Sequence, residues 1–171
     1  MGTWTWHPNR IGLEWFLNNV KPRLLDDVRI SVAGSTPADL ASTWPDVDFV
    51  GRVERATDFV AESAVIPLIS RAGTGVQLKT IETFSLGLPS VATTSSVRGI
   101  AAIPDNCTIA DDPESFAAAL NEKIRRARAG DLQRFDGRLF AEAQAELMDA
   151  GIGRMLDMLT GATSGGKEAL S

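Results

Sequence analysis

The segment SRAGTGVQLKTIETFSLGLPS, residues 70–90, carries a glycine-rich loop directly before a helical pattern. Gly73 and Gly75 let the backbone adopt positive φ and approach a ligand closely. A helix is predicted to begin near Val76, where unpaired N–H groups and the helix dipole favour an anion such as phosphate. This helix carries one apolar stripe, expected to face a sheet, formed by Leu78, Ile81 and Phe84.

Two opposite charges lie in the first turns of this predicted helix. Lys79 lies away from the apolar stripe, and Glu82 lies on its margin near Lys79. A lysine at this point can reach a phosphate oxygen, and a glutamate can accept two hydrogen bonds from a ribose diol. The pair therefore suggests a nucleoside diphosphate as the ligand. The structural alternative is a tight turn followed by an ordinary surface ion pair.

The rest of the chain alternates short apolar runs with helical patterns. The runs do not alternate cleanly between apolar and polar residues, which favours strands covered on both faces. The prediction is an α/β fold, namely a Rossmann-like, doubly wound, mostly parallel six-stranded sheet with helices on both faces. Pro67 places its strand at an edge or makes it irregular. The six predicted strands are residues 2–6, 28–34, 47–51, 64–70, 89–94 and 107–111.

The domain is predicted to span residues 1–160, with a Gly- and Ser-rich disordered tail at 161–171. Asn9 is expected to cap the first helix. The last helix is predicted at about residues 133–159, with an apolar stripe of Phe135, Leu139, Ala143 and Leu147.

Composition excludes several classes of protein. The 171-residue chain has a net charge of −5, which disfavours a general nucleic-acid binder. Its single cysteine, Cys107, cannot form an intrachain disulfide and is expected to be a small core residue. We predict no metal site, no transmembrane segment and no signal peptide, and we expect a cytoplasmic protein.

The segment GTGVQLKTIETFSLGLPSVATT resembles the donor-binding motif of GT-B-fold glycosyltransferases, especially those related to family 4. Their pattern is similar to G-x-G-x-x-x-K-x-x-E-x-x-x-x-G-x-P-V-V-A-T. Four further segments resemble this domain, so that the likeness covers about residues 2–128: HPNRIGLEWFLNNVKPRL, ISVAGS, VDFVGRV and TIADDPESFAAALNEKI. The matching motif residues are Gly73, Gly75, Lys79, Glu82, Gly87, Pro89, Ala92 and Thr93.

The resemblance implies two Rossmann-like domains, of which this chain is similar to the C-terminal, donor-binding one. It implies transfer of a sugar, with hexosyl transfer favoured, from a nucleoside-diphosphate sugar to an acceptor such as a glycan or lipid-linked saccharide. Polysaccharide biosynthesis is the expected setting. The chain is expected to need the missing N-terminal acceptor domain for activity. Attachment of the full-length enzyme to the inner face of the membrane is left open. The donor is a substrate, and no cofactor or catalytic residue is assigned.

The resemblance also implies individual roles. Glu82 matches the glutamate that contacts the donor ribose, and Lys79 takes the motif's lysine position, as a donor contact or a packing residue. Arg52 and Val53 match a region near the nucleobase. The pyrophosphate cradle corresponds to the amides of Gly73, Thr74, Gly75 and Val76.

Two departures from the family pattern concern the transferred sugar and the pyrophosphate. Many members carry a second glutamate where this chain has Thr74, and they offer an Arg and a Lys near the first helix, where Arg10 is the one candidate here. A non-catalytic nucleotide-binding or regulatory module that kept the fold is therefore the alternative function. A nicotinamide-binding domain ranks last, because TWTWHPNRIG lacks the required glycines.

Several other residues keep two interpretations each. His7 follows the first strand and is a site or surface residue. Trp4, Trp6 and Trp15 either stack a base or fill the core and the face toward the missing domain. The loop after the fifth strand lines the donor pocket or is an ordinary connection, and it contains Ser95, Ser96, Arg98 and Gly99.

Overall fold

The computed structural model describes residues 2–73, 75 and 77–164, with side chains up to residue 158. Strands and helices alternate along the chain, as the sequence predicts. The strands are β1 Gly2–Thr3, β2 Ser31–Ser35, β3 Asp48–Gly51, β4 Ile66–Leu68, β5 Ser90–Ala92 and β6 Cys107–Ile109. The helices are α1 His7–Trp15, α2 Ala38–Thr43, α3 Ala56–Ala61, α4 Leu78–Ser85, α5 Pro113–Arg128 and α6 Arg138–Ser164.

All strand pairs are parallel, which confirms the predicted α/β class. The hydrogen-bonded pairs divide the described strands into two three-stranded sheets, in the orders β1-β2-β3 and β4-β5-β6. The prediction of one continuous six-stranded sheet is therefore corrected. The reason is the length of β1, whose two residues pair only with Gly34 and Ser35. Pro67 lies at the edge of its sheet, as predicted.

The helices cover both faces of the strands. Val91 belongs to an apolar cluster with α1 and α5, while the adjacent Ala92 belongs to a second cluster with Phe84 of α4 and Phe140 of α6. Because neighbouring strand residues point to opposite faces, the two clusters lie on opposite sides of β5. The strands around β5 therefore form the middle of three layers.

The buried face of α4 differs from the predicted stripe. Phe84 is fully buried, but Leu78 is 74% exposed, and Thr80 and Thr83 are buried instead. The helix begins at Leu78, two residues later than predicted, so Leu78 stands at the loop end. The hydroxyl of Thr80 donates to the backbone carbonyl of Ser96, which turns this polar side chain inward.

The last helix also begins later than predicted. Residues 131–137 run against the end of α4, where Phe135 N–H donates to the carbonyl of Gly87. A Cβ at Gly87 would lie 1.9 Å from Phe135 O, and the φ of Gly87 is +64°, so glycine is required there. The buried face of α6 consequently contains Phe140 and Gln144 rather than the predicted stripe. The helix continues to Ser164, four residues into the predicted tail, whose remaining residues lie outside the described part of the chain.

Candidate functional site

The glycine loop follows the carboxyl end of β4 and leads into α4. Gly73 has φ +99°, which an L side chain rarely adopts, and a Cβ at Gly73 or Gly75 would meet nothing within 4 Å. No side chain of the described residues caps α4. The first N–H groups of this helix are therefore available to an anion in front of the loop. Thr74 and Val76, also predicted to contribute amides, lie outside the described residues.

Lys79 is held near the ends of β1 and β2. Its Nζ donates to Asn9 Oδ1 at 2.9 Å and lies 5.5 Å from the centre of the Trp4 ring. Burial lowers the pKa of Lys79. No ion pair joins Lys79 to a carboxylate in the described part of the chain. A partly desolvated ammonium without a counter-ion favours an incoming anion.

Asn9 connects this lysine to the first strand. The helix that Asn9 was expected to cap begins at His7, and no side chain caps it. The Asn9 amide instead donates to Thr3 O at 3.1 Å while its oxygen accepts from Lys79. This role of Asn9 was not predicted from the sequence, although an Asn in the first turn after Pro8 was the available signal.

Arg52 and Val53 follow β3 and line the same cavity as Lys79. The cavity has a volume of about 410 Å³, and it is bordered by Gly2, Thr3, Asn9, Ala33, Gly34, Arg52, Val53 and Lys79. Arg52 is exposed and makes no ion pair or side-chain hydrogen bond with another described residue. Two cations thus border one cavity at the carboxyl ends of three parallel strands, where open α/β sheets bind ligands.

A buried hydroxyl network fixes the loop relative to α4. Ser96 Oγ donates to Leu68 O at 2.8 Å and accepts from the backbone N–H of Ser70 at 2.9 Å. Thr93 contacts the same hydroxyl at 2.9 Å and also donates to Ser70 O. Thr80 donates to Ser96 O at 2.7 Å. Ser96 is therefore a positioning residue.

Glu82 is half-buried on α4, one turn after Lys79. Its carboxylate makes no ion pair or hydrogen bond with another described residue, and Glu82 does not border the cavity of Lys79 and Arg52. The Lys79–Glu82 ion pair of the structural alternative is absent from the described contacts. The carboxylate therefore remains available to accept hydrogen bonds.

Arg10 is not brought to this cavity. Its Nε lies 2.7 Å from Glu14 Oε1, and its Nη2 lies 2.6 Å from Asp39 Oδ2. Hydrogen bonds with Asp39 and Glu14 raise the pKa of Arg10, and the bond from Arg10 lowers the pKa of Asp39. A guanidinium already held by two carboxylates is a poor counter-ion for pyrophosphate.

The remaining candidates divide between the loop and the core. Arg98 Nη1 donates to Gly73 O at 2.6 Å, so it supports the glycine loop. His7 is an exposed residue at the start of α1. Trp4 is buried, Trp15 packs on the first apolar cluster, and Trp6 is 58% exposed. Cys107 is half-buried against the second cluster, and burial raises the pKa of its thiol.

Two absences apply to residues 2–73, 75 and 77–164. Within these ranges no three His, Cys, Asp or Glu side chains are grouped so that they could hold a metal ion. The same residues contain no helix that is both long and apolar enough to cross a membrane.

Residues 1–126 match the family described as glycosyl transferases group 1. Among solved structures, HepE from Anabaena in complex with UDP superposes with a TM-score of 0.54 at 14% identity, covering 88% of this chain and 45% of HepE. HepE in complex with UDP-glucose superposes with a TM-score of 0.53 at 16% identity, covering 81% of this chain and 45% of HepE. These likenesses show the fold, and the chain spans less than half the length of HepE. No curated protein sequence matches the chain.

Proposed function

Because the chain belongs to the glycosyl transferases group 1 family, we propose that it is the donor-binding half of a glycosyltransferase. In this proposal it holds a nucleoside-diphosphate sugar, with hexosyl transfer favoured, and passes the sugar to an acceptor such as a glycan or lipid-linked saccharide. The acceptor half is a second Rossmann-like domain. This chain alone is expected to bind donor without turnover.

One observation carries the proposal. Lys79 and Arg52, neither of them paired with a carboxylate among the described residues, border one cavity beside a helix start that no described side chain caps. Unpaired cations and free amides at the ends of parallel strands form an environment suited to a diphosphate. HepE, which has the same fold, is known in complex with UDP and with UDP-glucose, in agreement with this ligand class.

The chemistry follows from the charge that develops on the leaving group. When the glycosidic bond breaks, negative charge accumulates on the diphosphate. The first amides of α4 and the ammonium of Lys79 are fixed in advance, so they stabilise this charge without reorganising. We propose Arg52 as a second cation and the backbone near Val53 as a contact for the nucleobase. The role of Arg10 in this proposal is limited to holding α1 against α2.

Glu82 is proposed to bind the ribose. Its carboxylate lacks a partner among the described residues and lies one turn beyond Lys79, so a sugar attached to the bound diphosphate is the group it would meet. A carboxylate that accepts two hydroxyl hydrogen bonds contributes through charge-assisted hydrogen bonds.

Calorimetric titration with UDP and GDP at low salt tests the proposal. We expect binding heat, together with amide chemical-shift changes at Gly73, Gly75 and Lys79. Glu82→Ala should weaken binding by about 10- to 100-fold, because a lost hydrogen bond to a charged group costs about 1.5–3 kcal/mol. Glu142→Ala, at an exposed position on α6, is the matched control and should bind like the parent. No heat and no shift at millimolar nucleotide would exclude the proposal.

The alternative is a nucleotide-binding or regulatory module that has kept the fold without catalysis. Thr74, which stands where many family members have a second glutamate, is the observation that favours it. The alternative predicts nucleotide binding but no release of nucleoside diphosphate from the sugar donor, even in the longest natural form of the protein. An assay of that form with UDP-glucose and GDP-mannose distinguishes the two.

A further inference from the structure

A buried glutamine on α6 binds the backbone of the segment that follows β5. Gln144 is 2% exposed. Its Oε1 accepts from the N–H of Ala101 at 2.8 Å, and its Nε2 donates to the carbonyl of Gly99 at 3.1 Å. Phe140, one turn earlier on the same face of α6, packs edge-on against Phe84 of α4. Because each polar end of this amide has a partner, Gln144 fixes where the backbone from Gly99 to Ala101 lies relative to α6.

The segment held in this way carries Arg98, the residue directly before Gly99. Nη1 of Arg98 donates to Gly73 O at 2.6 Å. Arg98 is exposed and forms no ion pair with a carboxylate in the part of the chain that the structure describes. Its guanidinium is therefore directed at the backbone of the glycine loop rather than at an acidic side chain.

The bond from Arg98 reaches the part of the glycine loop that has least support. The start of the loop is fixed by Ser96, whose hydroxyl accepts from Ser70 N–H, and the helix after the loop is fixed by Thr80, which donates to Ser96 O. Gly73 lies between these two points, and a Cβ there would meet nothing within 4 Å. Among the described residues, the hydrogen bond from Arg98 is the one that holds Gly73 from outside the loop.

The carbonyl of Gly73 belongs to a peptide unit whose orientation matters for an anion. C=O and N–H of a trans peptide, the form of nearly all non-proline peptides, point in opposite directions. A donor that holds the carbonyl of such a unit therefore fixes the direction of its N–H as well. Glycine at φ +99° sets few steric limits on rotation of the peptide, so the bond from Arg98 supplies a restraint that this backbone lacks.

We propose that Gln144 is a positioning residue for nucleotide binding, which acts through Arg98 on the glycine loop. Gln144 places the backbone from Gly99 to Ala101, this backbone places the guanidinium of Arg98, and the guanidinium orients the peptide at Gly73 for the anion in front of α4. The inference rests on the proposed function, because it gives Gln144 and Arg98 a part in holding the diphosphate. Neither side chain contacts the nucleotide.

Gln144→Met and Asn121→Leu form a matched pair of variants. Asn121 on α5 makes the same two kinds of bond with the segment before β2, accepting from Leu25 N–H at 3.1 Å and donating to Arg23 O at 2.9 Å. Both substitutions remove a side-chain amide that bridges two backbone groups, so both should lower the urea midpoint of unfolding. Only Gln144→Met should lower the ¹⁵N order parameter of Gly73, measured without nucleotide. An unchanged order parameter, or an equal fall in both variants, would overturn the inference.

Calorimetric titration with UDP measures the consequence for the nucleotide. Gln144→Met should weaken UDP binding by about fivefold, the effect expected for the loss of one hydrogen bond. Asn121→Leu should bind UDP within about twofold of the parent, since it lies in another part of the fold. If Gln144→Met fails to fold, Arg98→Met at its exposed position must lower the order parameter of Gly73 and weaken UDP binding, and without both effects the inference fails.

A double-mutant cycle tests whether Gln144 acts through Arg98. In the Arg98→Met background, Gln144→Met should change UDP affinity by less than about twofold, because the link through which it acts is already lost. A merely structural role for Gln144 would weaken binding by the same factor in both backgrounds, and this result would overturn the inference. If Arg98→Met weakens binding while Gln144→Met does not, Arg98 contacts the ligand directly and Gln144 has no positioning role.

The two readouts separate this inference from the proposed function. If the parent binds neither UDP nor GDP, but the order parameter of Gly73 falls in Gln144→Met and not in Asn121→Leu, the link from α6 to the loop is confirmed and the proposed function fails. If the parent binds UDP and the order parameter of Gly73 is the same in all variants, the proposed function stands and the role of Gln144 is wrong.

Discussion

Two cations, Arg10 on α1 and Lys79 on α4, have opposite surroundings. Arg10 on α1 is held by Glu14 and Asp39, and these hydrogen bonds raise its pKa. Lys79 on α4 donates to the neutral side chain of Asn9 and lies over the Trp4 ring, and burial lowers its pKa. The charge of Arg10 is balanced by two carboxylates, whereas Lys79 has no carboxylate partner among the described residues.

The difference separates a structural cation from a binding cation. Folding gains from an ion pair whose partners are both present, whereas a buried, unpaired lysine costs free energy until an anion arrives. An unpaired lysine that destabilises the fold at the carboxyl ends of three parallel strands is typical of a functional site. The substitutions below test whether this contrast is real.

The largest effect is expected from Lys79→Met. It should weaken UDP binding by about 10- to 100-fold, because the ammonium contributes charge-assisted hydrogen bonds to the diphosphate. Stability should be unchanged or slightly higher, since methionine carries no desolvation cost. Calorimetric titration and chemical denaturation measure the two effects.

Lys123→Met is the matched control for this experiment. Burial also lowers the pKa of Lys123, which donates to the backbone carbonyl of Asn106, but it does not border the cavity of Lys79. Nucleotide affinity should therefore stay within about twofold of the parent. If both substitutions weaken binding equally, the effect belongs to buried lysines in general, and the contrast between Arg10 and Lys79 has no functional meaning.

Thr80→Val tests whether the position of Lys79 depends on the hydroxyl network beneath it. The change leaves the carbonyl of Ser96 without its donor, at a cost of about 1–3 kcal/mol in the free energy of unfolding. UDP affinity should fall as well, because α4 is no longer tied to the loop.

Thr83→Val supplies the comparison for Thr80. Thr83 is equally buried, but its hydroxyl donates to Lys79 O within the same helix, a local bond whose loss should cost less than about 1 kcal/mol. A larger loss of stability in Thr83→Val than in Thr80→Val would show that the hydrogen bond from Thr80 to Ser96 O does not fix the position of α4.

The sequence was sufficient for the parts of this arrangement that depend on local pattern. Alternating apolar runs and helices predict that the loops after β3 and β4 meet at one end of the sheet, which brings Arg52 and Lys79 together. Whether a cation is paired depends on distant segments. Asp39 is 29 residues from Arg10 in sequence, and no local pattern indicates that its carboxylate reaches the guanidinium.

Long-range contacts also explain the incorrect helix faces. Leu78 has the period of a buried residue, but Thr80 takes the inward position because Ser96, 16 residues later, offers a carbonyl. In the same way, contact between Gly87 and Phe135 delays the start of α6 and changes its buried face. Hydrophobic period alone overlooks a polar residue that finds a partner in the core.

Arg10→Gln should have a smaller effect than either substitution in α4. UDP affinity is expected to stay within about twofold, since the side chain lies away from the cavity. The thermal midpoint should fall by no more than about 4 °C, because solvent-exposed ion pairs contribute little. The thermal midpoint should fall by less in Arg29→Gln, which breaks a more exposed ion pair with Asp48. If UDP affinity falls as far in Arg10→Gln as in Lys79→Met, Arg10 contacts the ligand and the distinction between the two cations is wrong.

The smallest effect is a pH dependence that belongs to the Arg10 site. The hydrogen bond from Arg10 lowers the folded-state pKa of Asp39 below its usual value of 3.8. Stability from this bond is therefore present in full above the unfolded pKa and is lost as pH falls through the folded one. The difference in unfolding free energy between the parent and Arg10→Gln should be constant from pH 5 to 7 and should narrow below about pH 4. Urea denaturation across this pH range measures the difference. The control repeats the comparison in an Asp39→Asn background, where the difference made by Arg10→Gln should not narrow in acid. A difference that grows in acid would mean that Asp39 is not the partner that stabilises Arg10.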